Sequence, residues 1–184
     1  VSQSIYDRQI KAEGKTRDLG FYHFKDSVIN NNDKIIYGHP GIGKTFLKEK
    51  GFDILSFDDD FKSEIDSFVD NKKGDLTRQK YKGQNNQEYQ DFVLKLWDKA
   101  KKKAAKENKK LLVSNHTVLT NDYKSFDKVI NLSKDEFKKR LEQRNSYKEE
   151  DFDEWKDNID NAIKLIDNSK VVTTDKYLSD LFVG

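Results

Sequence analysis

The chain has 184 residues, a formal net charge of +2, 37% charged residues and a mean hydropathy of -0.97. This length suits one domain with a proper core, and the near-balanced charge gives no general case for nucleic-acid binding. The lack of Cys excludes disulfides and thiolate metal sites, while twelve Phe, eight Tyr and two Trp argue against disorder. No apolar run is long enough to span a bilayer, and the N-terminus lacks a signal-peptide core, so we expect no membrane association and a cytoplasmic location.

Residues 1–33 precede the first predicted strand. They carry scattered apolar side chains and end in a turn-forming run of Asn and Asp. We therefore expect an N-terminal extension packed on the core, with the main domain over residues 34–184.

Eight residues, GHPGIGKT, match the pattern G-x-x-x-x-G-K-[ST] at every fixed position. Glycines in such a loop adopt positive φ and turn backbone N–H groups inward, which forms a concave nest for a polyphosphate. Lys44 can reach the β- and γ-phosphates, and the Thr45 hydroxyl can bind Mg²⁺, so the predicted cofactors are ATP and Mg²⁺. The predicted nucleotide-binding residues of the loop are Gly38, His39, Pro40, Gly41, Ile42, Gly43, Lys44 and Thr45.

The flanking sequence supplies the context that this motif requires. The apolar run Lys34–Tyr37 predicts a buried strand before the loop, and residues 45–50 predict a short helix that Gly51 ends. Strand, glycine loop and helix is the arrangement of a phosphate-binding loop. No guanine-reading N-K-x-D follows, which argues against a switch GTPase.

Three consecutive carboxylates, Asp58, Asp59 and Asp60, follow a second predicted strand, Phe52–Phe57. Adjacent carboxylates repel one another unless cations or N–H groups neutralise them. At the carboxyl end of a strand beside a phosphate loop, the expected cation is the Mg²⁺ of a nucleotide, which makes Asp58 a predicted metal ligand. A solvated acidic turn is the alternative.

The middle of the chain combines an irregular stretch with a clear helix. Residues 61–86 lack periodicity and predict an insertion that covers the acceptor, in which Arg78, Lys80 and Lys82 either face an anionic substrate or form a solvated basic loop. Residues 87–108 carry an apolar stripe at helical spacing. We interpret their Lys-rich end as a solvated face rather than a nucleic-acid patch.

Three further strands are predicted, at 111–114, 128–132 and 170–173. The first ends without an acidic residue, so Asn115 or His116 either orients water or substrate or caps a polar loop. After the second, a capping box opens a helix on which Arg140 and Arg144 share one face, suited either to phosphate oxygens or to pairing with nearby carboxylates. Residues 149–168 predict an amphipathic helix, and residues 176–182 a closing one.

Five apolar strands alternating with helices predict an α/β fold, a parallel sheet covered by helices. In chain order, GHPGIGKT, SFDDD, VSNH, FKKRLEQR and VVTTDKYLSDLF resemble the P-loop kinase group, which includes nucleoside monophosphate, shikimate, gluconate and polynucleotide 5′-kinases. The likeness spans about residues 34–182 and is greatest to small kinase-like P-loop proteins of phages. It implies the three-layer P-loop fold with a five-stranded sheet of order 2-3-1-4-5, and host cytoplasm as the location if the source is viral.

The resemblance also implies roles for particular residues. In the group, carboxylates after strand two contact Mg²⁺ or substrate or act as the base, which points to Asp58 and Asp60, with Asp59 as a further candidate. Arginines after strand four close over the transferred phosphoryl group, which points to Arg140 and Arg144. The segment after strand five lines the adenine, which points to Thr173, Thr174 and Asp175, with Thr174 as the predicted binding residue. Two departures from the group are the missing third-strand acid and a very short lid.

These patterns predict a phosphotransferase that moves the γ-phosphoryl group of ATP to a small acceptor, with a nucleotide favoured. Lys44, Arg140 and Arg144 would offset negative charge, and Asp58 or Asp60 would orient the acceptor or accept its proton. One alternative is a polynucleotide or modified-base kinase acting on nucleic acid. Another is a nucleotide-binding structural or regulatory protein with little turnover.

Overall fold

A computed structural model describes residues 28–83, 85–144 and 149–182 of the chain. Its centre is a five-stranded sheet of order β2-β3-β1-β4-β5 in which every pairing is parallel. The strands are β1 (Ile35–Gly38), β2 (Ile54–Ser56), β3 (Lys110–Val113), β4 (Lys128–Leu132) and β5 (Val171–Thr174). The predicted α/β fold and the 2-3-1-4-5 order are confirmed.

Helices connect the strands, as parallel pairing requires. They are α1 (Lys44–Glu49), α2 (Phe57–Asp60), α3 (Lys62–Lys72), α4 (Arg78–Lys82), α5 (Gln87–Glu107), α6 (His116–Asn121), α7 (Lys134–Gln143) and α8 (Glu149–Ile163). The longest, α5, begins where the Asn86 side chain accepts the N–H of Tyr89 and ends at Asn108 in the left-handed conformation. None of the described helices is long and apolar enough to cross a membrane.

The core of residues 34–175 lies where the apolar stripe of α5 meets the sheet. Trp97 is 1% exposed and makes an edge contact with Phe57 at 5.4 Å between ring centroids. Tyr37 of β1 contacts Phe126 in the same way at 5.9 Å. The predicted stripe is confirmed, since Tyr89, Val93, Leu96, Trp97 and Ala100 are buried and its remaining member, Phe92, is partly buried against the core.

The strand register decides which residues meet at the carboxyl edge of the sheet. Tyr37 of β1 and Ser56 of β2 lie opposite Val113 and Leu112 of β3. Continuing the β1–β3 pairing by one residue brings Gly38 level with Ser114, and the Ser114 N–H donates to Asp58, two residues after the end of β2. The first residue after β3 therefore lies between the phosphate loop and the acidic run.

Four stretches differ from the sequence-based expectation. Residues 57–60 form a helical turn rather than the end of a strand, and residues 61–86 include two helices, α3 and α4. The α4 helix is too short to show periodicity, but the Thr77 side chain caps it. Helix α6 was not predicted for the same reason of length. In the closing segment only Leu178–Leu181 is helical, as a 3-10 turn.

Two compact units divide the chain. Residues 34–175 carry the sheet, and the described residues of the other unit are 28–33 and 176–182. In that second unit Ile29 forms a parallel bridge with Phe182, and its N–H donates to the Leu181 carbonyl at 2.9 Å. Residues 1–27 lie outside the described residues, so the packing of the N-terminal extension on the core stays a prediction.

Candidate active site

The loop between β1 and α1 has the conformation that the glycine pattern predicts. Gly41 and Gly43 have φ of 88° and 101°, in the left-handed region that side chains rarely adopt. A Cβ added at Gly41 would meet its nearest side-chain atoms only at 3.8 and 3.9 Å, which is ordinary contact. Backbone conformation, rather than lack of space, is therefore what requires glycine at position 41.

Hydrogen bonds anchor this loop to the edge of the sheet. The His39 N–H donates to the Ile130 carbonyl of β4 at 2.9 Å, and the Ile42 N–H donates to the His39 carbonyl at 3.0 Å. Both side chains are fully buried. His39 and Ile42 thus hold the loop in shape, while nucleotide binding by the loop residues stays a prediction.

The predicted catalytic lysine lies beside the first residue of the acidic run. The Lys44 Nζ donates to Ser114 Oγ and lies 4.0 Å from Asp58 Oδ2. The same Asp58 oxygen accepts the Ser114 N–H at 2.6 Å, and Ser114 Oγ donates to the Gly38 carbonyl. The Lys44 side chain is 14% exposed and that of Asp58 is 29% exposed. The fold therefore brings Lys44 and Asp58 together across Ser114.

Burial shifts the pKa of both charged groups. Burial lowers the pKa of Lys44 from its ordinary value, and the positive charge of Arg144 lowers it further. The nearby carboxylates of Asp58 and Asp59 act in the opposite direction and raise that pKa. Burial raises the pKa of Asp58, and Lys44 and the Ser114 N–H oppose this. A carboxylate whose pKa is raised is a better proton acceptor, which suits Asp58 to general-base work.

The other two carboxylates of the acidic run contact different groups. Asp60 accepts the Ser56 N–H at 3.0 Å and pairs with Lys48 at 2.6 Å. Asp59 accepts the Ser56 hydroxyl at 3.1 Å. In these contacts Asp59 and Asp60 cap the end of β2, so the structure brings only Asp58 of the run into contact with Lys44 and Ser114. A catalytic role for Asp60 stays a prediction.

The two predicted arginines occupy unlike positions. Arg140 is 2% exposed and donates to Glu136 at 2.7 Å, to the Gly41 carbonyl at 3.0 Å and to the Asp175 carbonyl at 2.7 Å. Its guanidinium therefore joins the phosphate loop to the chain that follows β5. Arg144 follows the end of α7, is exposed, and lies near enough to lower the pKa of Lys44. Of these two arginines, Arg144 is the exposed one, and its charge acts on Lys44.

The remaining predicted residues lie at the same edge of the sheet. Thr45 is exposed in the first turn of α1, directly after Lys44. Thr174 is the last residue of β5, opposite Leu132, and it precedes the Asp175 carbonyl that Arg140 binds. Their roles toward Mg²⁺ and adenine stay predictions.

No group of three or more acidic or histidine side chains gathers around a common metal position in the described ranges. Magnesium bound with a nucleotide requires less, because phosphate oxygens and water supply most of its ligands and the protein adds one or two oxygens. The hydroxyl of Thr45 and the carboxylate of Asp58 are chemically suited to supply these protein oxygens.

A buried lysine contacts the phosphate loop from α8, and sequence analysis did not identify it. Lys156 is 2% exposed, and its Nζ contacts four acceptors: His39 Nε2 at 3.2 Å, Asn131 Oδ1 at 2.9 Å, the Leu132 carbonyl at 2.7 Å and Asp160 Oδ1 at 2.9 Å. One signal was present in the sequence. Lys156 lies four residues after Phe152 and three before Ile159, and therefore on the apolar stripe of its helix.

The bond to Pro40 fixes the tautomer of the His39 ring. A carbonyl only accepts, so Nδ1 carries the proton and donates it to the Pro40 carbonyl at 2.8 Å, and in the neutral ring the lone pair of Nε2 faces the Lys156 amine at 3.2 Å. Burial lowers the pKa of His39 to about 4, with Lys156 and Arg140 adding to this and the Pro40 bond and Asp160 opposing it. The neutral ring is therefore the native form at neutral pH.

We expect this ring to make the protein less stable in mild acid. The unfolded chain binds a proton at His39 below its ordinary pKa of 6.5, whereas the folded chain does so only near 4. Stability is therefore full above about pH 6.5 and falls as the pH decreases toward 4. Between pH 7 and 5 the wild type should lose about 2 kcal/mol more than a His39→Gln variant. Urea unfolding at both pH values measures this, and an equal loss in both proteins would contradict it.

Comparisons with known proteins give a likeness in structure but none in sequence family. No family model matches the chain, and no curated protein matches it. The solved structure of dephospho-CoA kinase from Campylobacter jejuni is similar with a TM-score of 0.41 and 18% identity, over 83% of this chain and 92% of that chain. The strand order and the glycine loop after β1 define the three-layer P-loop fold with the sheet order of kinases.

Proposed function

We propose that the protein is an ATP-dependent phosphotransferase that moves the γ-phosphoryl group of ATP to a small acceptor, with a nucleotide favoured. The juxtaposition of Lys44 and Asp58 across Ser114 carries this proposal. A phosphate loop alone binds a nucleotide. A partly buried carboxylate beside its lysine supplies the second group that transfer to an acceptor requires.

The residues of the site then have distinct tasks. The loop from Gly38 to Thr45 binds the phosphates, and Lys44 offsets their negative charge. Thr45 and Asp58 hold Mg²⁺, which when bound with ATP neutralises charge on the phosphates. Asp58 also orients the acceptor hydroxyl or accepts its proton, and Arg144 adds a positive charge.

Two further assignments complete the proposal. Arg140 keeps the loop in place through the Gly41 carbonyl, so we assign it a positioning role rather than direct contact with the phosphoryl group. Thr174 lines the base, and the proposed location is the cytoplasm.

Phosphate transfer from labelled ATP tests the proposal directly. The wild type is incubated with γ-labelled ATP, Mg²⁺ and a panel of nucleosides, nucleoside monophosphates and 5′-hydroxyl oligonucleotides. We expect label on at least one small acceptor and none with the Lys44→Ala variant. Label on the oligonucleotides alone would instead identify a polynucleotide kinase. Tight ATP binding without transfer to any acceptor would overturn the proposal.

The last outcome corresponds to a second candidate function, a nucleotide-binding protein with little turnover. Ser114, which is not acidic, occupies the position after β3 where many phosphate-loop proteins carry an acid, and this favours the second candidate. A nucleic-acid acceptor has less support. In the Lys-rich part of α5, Lys101 pairs with Asp122 at 2.8 Å and Lys102 with Asp98 at 3.0 Å. This part of α5 also leads into the start of β3, the edge of the sheet opposite the loop.

A further inference from the structure

Ser114 contacts three groups that the proposed reaction uses. Its hydroxyl donates its one proton to the Gly38 carbonyl at the start of the phosphate loop. Its oxygen therefore turns a lone pair to Lys44 Nζ, and its backbone N–H donates to Asp58 Oδ2. The position follows from the sheet, because β3 lies between β1 and β2 and Ser114 directly follows β3, level with the last residue of β1.

The spacing of the two charges is the unusual feature of this arrangement. Lys44 Nζ and Asp58 Oδ2 lie 4.0 Å apart, beyond the distance of a charge-assisted hydrogen bond, which is about 2.8 Å. Both side chains are mostly withdrawn from water, and oppositely charged groups attract more strongly there than in water. The acceptor that the ammonium group contacts instead is the serine hydroxyl oxygen.

We propose that Ser114 is a positioning residue that holds Lys44 apart from Asp58, so that both charged groups stay available to a bound nucleotide. The inference deepens the proposed function and rests on it, because it concerns the lysine and the carboxylate of the same site. Without the hydroxyl, Lys44 closes on Asp58 as a direct ion pair. A nucleotide then has to break that pair before its phosphates can bind the lysine.

Binding of fluorescently labelled ATP tests this role. The measurement is made in EDTA, which removes Mg²⁺, so that the measured affinity does not depend on a metal ion bound by Asp58. Ser114→Ala should weaken binding about tenfold, the size expected when a charged hydrogen bond must be broken first. Ser114→Thr keeps the hydroxyl and should bind as the wild type does. In an Asp58→Asn background the Ser114→Ala change should alter binding by less than about twofold, since no carboxylate remains to capture the lysine.

A titration without nucleotide provides an independent measurement. Lysines are ¹³C-dimethylated, and the Lys44 signal is assigned by its loss in Lys44→Arg. The pKa of Lys44 should be higher in Ser114→Ala than in the wild type, because a direct ion pair favours the charged amine. In the Asp58→Asn background, Ser114→Ala should not raise the pKa of Lys44.

Several results would overturn the inference. If Ser114 were purely structural, Ser114→Ala would weaken ATP binding equally in the wild-type and Asp58→Asn backgrounds and would not raise the pKa of Lys44. Unchanged ATP binding by Ser114→Ala would also overturn the inference. Failure of the proposed function gives a different result, because the transfer assay then labels no acceptor with the wild type or with any Ser114 variant. Circular dichroism and thermal melting confirm that each variant is folded. The titration is made without nucleotide, so it tests the inference even where ATP binding in EDTA is weak.

Discussion

Replacement of Lys44 by alanine should reduce phosphoryl transfer from ATP by about 10³-fold or more, the loss expected when a group that stabilises transition-state charge is removed. The lysine is held by Ser114 at the end of the glycine loop, where the proposed function has its charge meet the β- and γ-phosphates. Without the Lys44 side chain, no ammonium group offsets the negative charge on the transferred phosphoryl group. Initial rates of label transfer with the best acceptor of the panel measure the effect.

The variant should remain folded, because Ser114 keeps its bond to the Gly38 carbonyl and Asp58 keeps the Ser114 N–H. Lys50→Ala is the matched control. It makes the same change in net charge just after the same short helix, at an exposed residue whose amine lies over the Phe46 ring. We expect transfer by Lys50→Ala to stay within about twofold of the wild type. Retained turnover in Lys44→Ala would refute the assignment of this loop as the catalytic site.

Lys156→Met should lower the free energy of unfolding by about 3 kcal/mol, the cost of breaking a buried charged network from one side. The amine contacts four acceptors, and two of them, the Leu132 carbonyl and Asn131, belong to the end of β4. Methionine fills similar space but donates nothing, so these acceptors lose a buried partner. Asp160 is 40% exposed and regains water, which limits the loss.

Urea unfolding at neutral pH measures this effect. Lys164→Met is the control, since Lys164 follows the same helix, is exposed, and its amine lies 3.5 Å from Asn161 Oδ1. We expect that control to change stability by no more than about 0.5 kcal/mol. Equal effects of the two substitutions would show that the buried network adds no net stability.

The fold was largely predictable because its determinants are local. The five strands are short apolar runs, the stripe of α5 repeats at helical spacing, and the Ser133 side chain caps α7 as its sequence indicates. The glycine loop was recognisable because positive φ at Gly41 and Gly43 needs a particular residue type. Helix α6 escaped prediction because six residues are too few to show a period.

The site was predictable only in part, because side-chain direction depends on contacts between distant residues. The sequence ranks Asp58 and Asp60 alike, yet the turn after β2 sends the first toward Lys44 and the second to Lys48. Spacing treats Arg140 and Arg144 as a pair on one face, yet one is buried and the other exposed. Ser114 lies in the VSNH segment, but no spacing in the sequence indicates which groups it contacts, because those contacts arise from the order of the strands.

The bonds of Arg140 imply that the two ends of the proposed nucleotide site are not independent. One guanidinium binds the Gly41 carbonyl in the phosphate loop and the Asp175 carbonyl beside the predicted adenine-lining residue. A displacement of the chain after β5 therefore reaches the loop through a single rigid, planar group. Substitutions that alter base selectivity at this segment should change triphosphate affinity as well, and their effects should combine non-additively with changes in the loop. Engineering this protein to accept another base would thus require adjusting both ends together.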